Sequence, residues 1–477
     1  MRAFEKPKKW WQALALLSVL WLPLRLCSPC ASAARSGLHT RDRALQQQFT
    51  VVPEPVKLPW TPLFTDEEIW RGMLYGSGLR LQRVAQKLIA NETIKVVFLG
   101  GSITNSADLE RLGLSFSARF ENFIRTAFPN RGHVFVDQGV PKSNSGWFAS
   151  CVDTLVGDNA DLVFVEFAVN DQRDAAETSI QRRSYEFMLR SVLRVASQPA
   201  VILLNHYSWF LSKGDGRREG LFFSGPESTF NDLAQYYDVT AMSMRAAAWR
   251  LMDENIDGFR VDKQTRGASG KSTKDYLYFD LVHPSPTGHQ LLAELACAPI
   301  IRAVWEAAST LVITRRTDRR LADLPPPMIP TLRAAATPFC AIQQDFKRAV
   351  VGAAGFTYSA DDPQAPTFKT QYWGYAATAE GSILSLNIST ASGIAGDTRP
   401  AQVFILHQKA LNLGTGSVSC VSGCSCQPAQ LDSALRANYY VANVVELKAT
   451  QSTSCRIRIL VTSIGKKVKV TGVTVNF

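Results

Sequence analysis

One serine and one histidine of this 477-residue sequence stand in contexts that suit nucleophilic catalysis. Ser102 follows two glycines after an apolar run over residues 94–99, so a strand can turn sharply and present the hydroxyl at the carboxyl end of a sheet. Asp280 and His283 lie three residues apart, where the carboxylate can orient the imidazole, and the other ring nitrogen can accept a proton from a serine. These residue types predict acyl transfer through a serine.

Two further strand ends supply groups that can stabilise a negatively charged oxygen. Asn170 follows an apolar run over residues 162–169, and its side-chain amide can donate to an oxyanion. Gly139 comes shortly after a predicted strand over residues 133–136, and its N–H is expected to be open to a substrate oxygen. Each motif alone also fits an ordinary strand-end turn. Because all four follow predicted strands or precede the last helix, we expect them along one edge of the sheet.

The stretch from residue 94 to 308 alternates β-branched runs with amphipathic helical stretches. Such alternation predicts a parallel sheet that is covered by helices on both faces. We predict strands over 94–99, 133–136, 162–169 and 201–205, and helices over 115–128, 147–156, 184–196 and 288–307.

The order of these motifs resembles blocks I, II, III and V of the SGNH (GDSL-like) hydrolase family. The resemblance implies a three-layer αβα sandwich of the flavodoxin-like kind. It also implies roles for the motif residues. Ser102 would be the nucleophile, His283 the general base and then acid, and Asp280 the group that orients the histidine. The oxyanion hole would consist of the N–H groups of Ser102 and Gly139 and the side chain of Asn170.

The sequence departs from the family pattern in three places. The first block reads Gly-Gly-Ser instead of Gly-Asp-Ser, Asp137 stands where block II usually has asparagine, and Ala168 replaces the glycine of block III. None of these changes removes a catalytic group. We expect no cofactor and no catalytic metal, because His206 and His289 fall on a predicted strand end and in the last predicted helix, where structural histidines are common.

Composition changes beyond the predicted hydrolase domain. Residues 310–335 are polar and proline-rich, which is typical of an exposed linker that few contacts cross. Short strands then predict an all-β sandwich over 336–477, with strands over 383–388, 403–406, 439–447, 457–461 and 468–475. The expected order is therefore a targeting segment over 1–34, an N-terminal extension over 35–90, a hydrolase domain over 91–309, the linker and the β-domain.

The first 34 residues have the pattern of a secretory signal peptide. Lys6, Lys8 and Lys9 precede an apolar run over residues 10–24, and Ala31 and Ala33 offer a cleavage site. The run is short for a membrane span of about 20 residues. We therefore expect a secreted protein. The alternative is an uncleaved signal anchor in the Golgi or another secretory-pathway membrane, and only then would the membrane be a partner.

Cysteine usage fits an oxidising compartment. Seven of the nine cysteines lie outside the signal segment, so at least one is free or pairs with another chain. Five crowd the C-terminal region, where we expect disulfides rather than zinc, and Cys151 and Cys297 are either buried thiols or a pair. The five are Cys340, Cys420, Cys424, Cys426 and Cys455.

Two sequons and the charge distribution complete the sequence evidence for a secreted protein. Asn91-Glu92-Thr93 and Asn387-Ile388-Ser389 match the glycosylation pattern. The formal net charge is +11, but no dense basic tract is interleaved with aromatic residues, so we expect no nucleic-acid partner.

These observations predict a secreted serine esterase that hydrolyses an O-acyl ester, with O-acetyl as one candidate. A β-domain beside a hydrolase suggests a polymer-bound target such as a carbohydrate, although the substrate can also be a small acylated molecule. Two alternatives stay open. One is a secretory-pathway polysaccharide O-acetyltransferase that uses the same serine. The other is a non-catalytic glycan-binding protein.

Overall fold

The computed structural model describes residues 56–476, apart from 174, 209–224, 255, 257–276, 281, 310–323, 331–338, 366–369 and 436–439. The predicted signal segment and most of the predicted linker lie outside the described residues. Those that are described belong to one compact unit, Pro53–Phe477. No helix within the described part of the chain has the length and apolar character needed to cross a membrane.

A six-stranded sheet carries the N-terminal part of the fold. Its strands are ordered β1-β6-β5-β4-β2-β3, and all neighbours are parallel except β1, which runs antiparallel to β6 at the edge. The strands β4 and β5 are buried along their whole length, as their continuous apolar sequences predict. The strands are β1 (Met73–Leu74), β2 (Lys95–Gly100), β3 (Val134–Asp137), β4 (Leu162–Glu166), β5 (Ala200–Asn205) and β6 (Thr240–Ser243).

Helices cover both faces of this sheet. Alternate residues of β2 enter two separate cores: Val96 and Phe98 face one, and Val97 and Leu99 face the other. The predicted three-layer αβα architecture is therefore confirmed. The described helices are α1 (Asp66–Arg71), α2 (Leu79–Ile89), α3 (Ser102–Asn105), α4 (Ala107–Arg111), α5 (Phe116–Ala127), α6 (Ser145–Ala149), α7 (Val152–Val156), α8 (Ile180–Arg194), α9 (Glu227–Tyr236), α10 (Met244–Asp253) and α11 (Pro286–Ser309).

Polar residues define where several helices begin. The Ser115 hydroxyl accepts the backbone N–H of Ala118 at the start of α5, and Ser179 and Asn144 cap α8 and α6 in the same way. The helix predicted over 147–156 is divided into α6 and α7, because the backbone at Cys151 leaves the helical conformation.

The N-terminal residues that the structure describes are part of the hydrolase fold. The strand β1 extends the sheet, and α2 packs against α11. Glu294 of α11 accepts the backbone N–H groups of Leu63 (2.9 Å) and Phe64 (2.9 Å). The expected extension over 35–90 is thus integrated into the first domain from residue 56 onward.

The C-terminal domain consists of two antiparallel sheets, as predicted. One has the order β15-β12-β17-β10-β9 with β7 paired to β17, and the other has the order β14-β13-β16-β11-β8. A 3-10 helix, Gln343–Ala349, follows the first strand. The strands are β7 (Phe339–Ile342), β8 (Val350–Ala354), β9 (Thr357–Ser359), β10 (Gly374–Ala377), β11 (Ile383–Ile388), β12 (Ala401–Lys409), β13 (Thr415–Ser422), β14 (Ala429–Asp432), β15 (Val441–Ala449), β16 (Cys455–Val461) and β17 (Val468–Asn476).

The cysteines in the described part of the chain form three disulfides, and one of them joins the two domains. Cys151 at the start of α7 bonds to Cys340 in β7, across 189 residues of sequence. The expected pairing of Cys340 within the C-terminal cluster is therefore wrong, and so is a Cys151–Cys297 pair. Cys297 is a buried free thiol, which is one of the two outcomes that the odd number of cysteines allowed.

The other four C-terminal cysteines form two bonds within the β-domain, Cys420–Cys426 and Cys424–Cys455. Among the described residues, one cluster of potential metal ligands has its ligand atoms close enough together to hold an ion. It consists of Cys420, Cys424 and Cys455, and their sulfurs already form these disulfides.

The proline-rich segment packs against the hydrolase domain in its described part, 324–330. Glu186 of α8 accepts the N–H groups of Met328 and Ile329, and Arg190 donates to the carbonyl of Pro325 (2.7 Å). We expected an exposed linker with few contacts, and this is wrong for residues 324–330. The buried side chains of Glu186 and Arg190 form hydrogen bonds with the backbone of this segment.

Candidate active site

Ser102, His283 and Asp280 form a continuous chain of hydrogen bonds. The hydroxyl Oγ of Ser102 lies 2.8 Å from Nε2 of His283, and Nδ1 of His283 lies 2.7 Å from Oδ2 of Asp280. Both distances are those of good hydrogen bonds. The structure thus brings together the three residues that the sequence predicted as nucleophile, base and orienting carboxylate.

A tight loop places Asp280 and His283 on the same side of the chain. Oδ1 of Asp280 accepts the backbone N–H groups of Val282 (2.7 Å) and His283 (2.8 Å), and the N–H of Phe279 donates to the carbonyl of His283 (2.9 Å). Nε2 of the buried His206 ring lies 3.1 Å from the carbonyl oxygen of Val282. The carboxylate therefore holds the loop with one oxygen and the imidazole with the other.

These bonds also keep Asp280 ionised. Partial burial raises the pKa of its carboxyl, but the hydrogen bonds from the His283 ring and from the N–H groups of His283 and Val282 outweigh burial and lower the pKa to about 2. Asp280 is therefore a carboxylate at neutral pH. It favours the His283 tautomer that carries its proton on Nδ1 and leaves Nε2 free to accept one from Ser102.

The two positions before Ser102 require glycine because neighbouring atoms lie too close to leave room for a side chain. A Cβ on Gly100 would lie 1.9 Å from Oγ1 of Thr104, and a Cβ on Gly101 would lie 2.4 Å from Nδ2 of Asn170. The missing side chains let α3 begin immediately after β2 and let the amide of Asn170 reach the turn beside Ser102. Asn170 is thus at the site, as predicted.

Gly139 also lies at this edge, but its N–H is engaged. The N–H donates to Oδ1 of Asp137 at 2.5 Å, whereas we expected it to be open to substrate. A Cβ on Gly139 would lie 2.4 Å from the backbone nitrogen of Asn105. The glycine therefore lets α3 pack closely, and a role in the oxyanion hole stays a prediction that requires Asp137 to release the N–H.

Residues 98–291 match the model of the GDSL-like lipase/acylhydrolase family. The matched segment contains Ser102, Gly139, Asn170, Asp280 and His283, so it spans every motif that suggested the resemblance. The chain contains a GDSL-like lipase/acylhydrolase domain. It is accordingly a hydrolase of ester bonds.

Solved structures with the same overall fold include a two-domain esterase, CEX, that is active on acetylated mannans. The match has a TM-score of 0.61 and 17% sequence identity, and it covers 85% of this chain and 97% of that one. A crystal of that esterase with mannopentaose matches with a TM-score of 0.60 at the same identity and coverage. At this identity the likeness establishes the two-domain fold. No curated protein matches the chain.

Two buried histidines of the GDSL-like domain have structural roles, as the sequence predicted. His289 accepts the backbone N–H of Phe116 (3.2 Å) and contacts the hydroxyl of Ser106 (3.1 Å). Burial lowers the pKa of His289 to about 3 and that of His206 to about 4, so both rings are neutral at physiological pH.

Two buried carboxyl groups beneath the site were not predicted. Glu166 ends β4 and is completely buried, which raises its pKa to about 8, and Thr104 donates to it at 3.4 Å. Burial likewise raises the pKa of Asp171 to about 6, although Ser145 donates to it through its N–H (2.9 Å) and its hydroxyl (2.5 Å). Acidic residues at the end of an apolar strand were the sequence signal that could have identified them.

The two sequons differ in their surroundings. Asn91 is exposed in the turn that follows α2. Asn387 is half-buried in β11, and its side-chain oxygen accepts the hydroxyl of Ser454 at 2.9 Å. Modification of either asparagine stays a prediction, and Asn91 has the more accessible amide.

Proposed function

We propose that this GDSL-like hydrolase is a secreted serine esterase that removes O-acyl groups, acetyl foremost, from a polysaccharide. The hydrogen-bonded chain Ser102–His283–Asp280 carries the catalytic part of the proposal. The carbohydrate part is supported by the likeness to the esterase active on acetylated mannans, because the match extends over both domains.

The first half-reaction acylates the enzyme. Oγ of Ser102 forms a bond to the ester carbonyl carbon while Nε2 of His283 takes the hydroxyl proton, and the imidazolium that results is stabilised by the Asp280 carboxylate. The tetrahedral intermediate collapses, the bond from carbon to the sugar oxygen breaks, and His283 returns its proton to that oxygen. The products of this step are a free sugar hydroxyl and an acyl group on Ser102.

The second half-reaction repeats this sequence with water. His283 deprotonates the water, whose oxygen attacks the acyl-enzyme, and the carboxylic acid leaves as Ser102 regains its proton. In both steps the proposal assigns the stabilisation of the oxyanion to the Ser102 N–H and the Asn170 amide. Each such donor is typically worth about 10²–10³ in rate.

Three disulfides support the secreted location, because such bonds persist in oxidising compartments. We accordingly propose cleavage of residues 1–34 and glycosylation at Asn91 and Asn387.

The proposal is tested by acetate release from acetylated mannan and from an aryl acetate. Wild-type protein should release acetate from both, and Ser102→Ala should lose both activities while it remains folded. Ser422→Ala, an exposed serine of the β-domain, is the matched control and should retain them. Undiminished acetate release by Ser102→Ala would refute the nucleophile. Release from the aryl acetate alone would refute the polysaccharide substrate.

A further inference from the structure

A cavity lies where the hydrolase domain meets the β-domain. Four aromatic side chains line it: Trp147 from the hydrolase domain, and Tyr372, Trp373 and Tyr440 from the β-domain. Because both domains supply walls, the cavity exists only in the two-domain protein.

Hydrogen bonds across the domain boundary fix the position of these walls. The hydroxyl of Tyr372 donates to the carbonyl of Pro141 (3.1 Å), and the N–H of Ala442 donates to the carbonyl of Lys142 (3.0 Å). Tyr372 has a φ of 55°, a conformation that non-glycine residues adopt at a cost and that is often found at functional sites.

The cavity begins next to the turn that carries Ser102. Val140 lines the cavity, and its backbone N–H donates to the carbonyl of Gly100 at 2.9 Å. Gly139, the preceding residue, accepts the side-chain amide of Asn105 from α3 at 3.3 Å. The same loop therefore contacts the helix of Ser102 on one side and forms the cavity wall on the other.

One cavity wall contains a buried polar group with an unused acceptor. Gln408 is 3% exposed and donates through Nε2 to Oδ2 of Asp361 at 2.7 Å. Lys467 and Lys469 hold Asp361 from its other oxygen, at 2.5 and 3.0 Å. Oε1 of Gln408 has no hydrogen-bond partner among the described residues. A buried acceptor of this kind is costly unless a ligand or water donates to it.

The aromatic walls are held rigidly. The ring of Trp373 stacks on Tyr358 with centroids 5.1 Å apart, and its indole N–H donates to the side chain of Gln371 at 2.7 Å. Lys467 lies over the ring of Tyr440, 5.2 Å from its centroid. Fixed rings provide contact area for a ligand with little loss of side-chain entropy.

We propose that this cavity is a sugar-binding subsite, which holds a pyranose of the polysaccharide chain next to the residue whose ester reacts at Ser102. The C–H face of a pyranose packs on aromatic rings, and its hydroxyls can donate to an acceptor such as Oε1 of Gln408. The inference rests on the proposed function and adds that the β-domain contributes directly to substrate binding beside the catalytic residues.

The test compares kcat/KM for an acetylated mannooligosaccharide with kcat/KM for an aryl acetate in the full-length protein. Trp373→Ala and Tyr440→Ala should each lower the ratio of the two values about tenfold or more, through a higher KM for the oligosaccharide. Trp373→Phe, which keeps an aromatic face, should recover part of the loss. Trp70→Ala, an exposed tryptophan of α1 that does not line the cavity, is the matched control and should leave the ratio unchanged.

Binding provides a readout that does not depend on turnover. Calorimetric titration of Ser102→Ala with mannopentaose should show binding, and adding Gln408→Leu or Tyr440→Ala should weaken it about tenfold. An unchanged ratio and unchanged affinity in folded cavity variants would overturn the subsite while leaving the esterase intact. If Ser102→Ala loses both esterase activities while the cavity variants have no effect, the subsite is wrong and the proposed esterase function stands.

Discussion

The active-site edge and the domain interface are held together in different ways. At the edge, Asp280 and His283 are three residues apart, and their side chains remain 46% and 43% exposed. At the interface, Cys151 and Cys340 are joined across 189 residues, and Leu406 of the β-domain enters the same core as Phe167 of the hydrolase domain. The first region depends on partly exposed hydrogen bonds, of which the one to Ser102 also spans 181 residues, whereas the second depends on a covalent bond and buried packing.

This difference implies that activity and stability depend on different residues. Side chains that are half exposed contribute little to folding, so their loss should remove activity and leave the fold. Long-range links constrain the unfolded chain, so their loss should lower stability and spare turnover of small esters. Each of the following variants tests one side of that contrast.

The largest effect is expected for His283→Ala. Without the imidazole, Ser102 has no base, and kcat on an aryl acetate should fall by about 10⁴–10⁶. Asp280→Asn should cost less, because the ring remains present though poorly oriented. Both variants should still unfold cooperatively in urea, with losses of stability too small to account for the fall in kcat. If Asp280→Asn had no effect on kcat, another carboxylate would have to orient the histidine.

Asn170→Ala tests the oxyanion donor. We expect a loss of about 10²–10³ in kcat on the aryl acetate with little change in KM, because the amide acts on the transition state. Asn170→Asp keeps the shape but places a negative charge beside the oxyanion, so it should be slower than the alanine variant. Equal rates for Asn170→Asp and wild type would exclude Asn170 from the oxyanion hole.

The interface is tested by the double variant Cys151→Ala, Cys340→Ala. Loss of a bond that closes so long a loop should lower the free energy of unfolding by about 2–5 kcal/mol. Cys420→Ala with Cys426→Ala opens a bond across six residues and is the matched control, with a smaller expected loss of about 2 kcal/mol. Urea titrations measure both. Equal losses, or loss of aryl-ester turnover before unfolding, would contradict the separation of the two regions.

The strands β2, β4 and β5 were predictable from sequence because buried parallel strands are continuous apolar runs, whereas β1, β6 and the order of the strands were not predicted. The proposed catalytic residues could be selected for a related reason: Ser102 and Asn170 follow such runs, and Asp280 and His283 are near neighbours in the chain. The cross-domain disulfide was not, because pairing over a long separation leaves no local pattern. The bonded N–H of Gly139 was also missed, since it depends on the side-chain position of Asp137.

Glu166 is a buried carboxyl group beneath the active-site edge and gives the smallest expected effect. Its pKa is raised to about 8 by burial, against about 4.3 in an unfolded chain, so the folded protein keeps a proton that the unfolded chain releases. Stability should therefore fall as pH rises from about 4.3 to about 8. Glu166→Gln has no carboxyl group to titrate, so its stability should not fall with pH for this reason.

The difference in free energy of unfolding between Glu166→Gln and wild type should therefore grow in favour of the variant from pH 5 to pH 8, by on the order of 1–3 kcal/mol. Glu67→Gln, on the exposed surface of α1, should show no such trend. A flat difference would mean that Glu166 is ionised in the folded protein.

The most direct measurement of the central claim is the site of covalent labelling by a fluorophosphonate, read by peptide mass spectrometry. The arrangement of Ser102, His283 and Asp280 predicts one adduct, on the peptide that contains Ser102, and complete loss of aryl-ester hydrolysis when labelling is complete. Labelling should be strongly slowed in His283→Ala and absent in Ser102→Ala. An adduct on a different residue that abolishes activity, or hydrolysis that continues with Ser102 fully labelled, would contradict the assignment of Ser102 as the nucleophile.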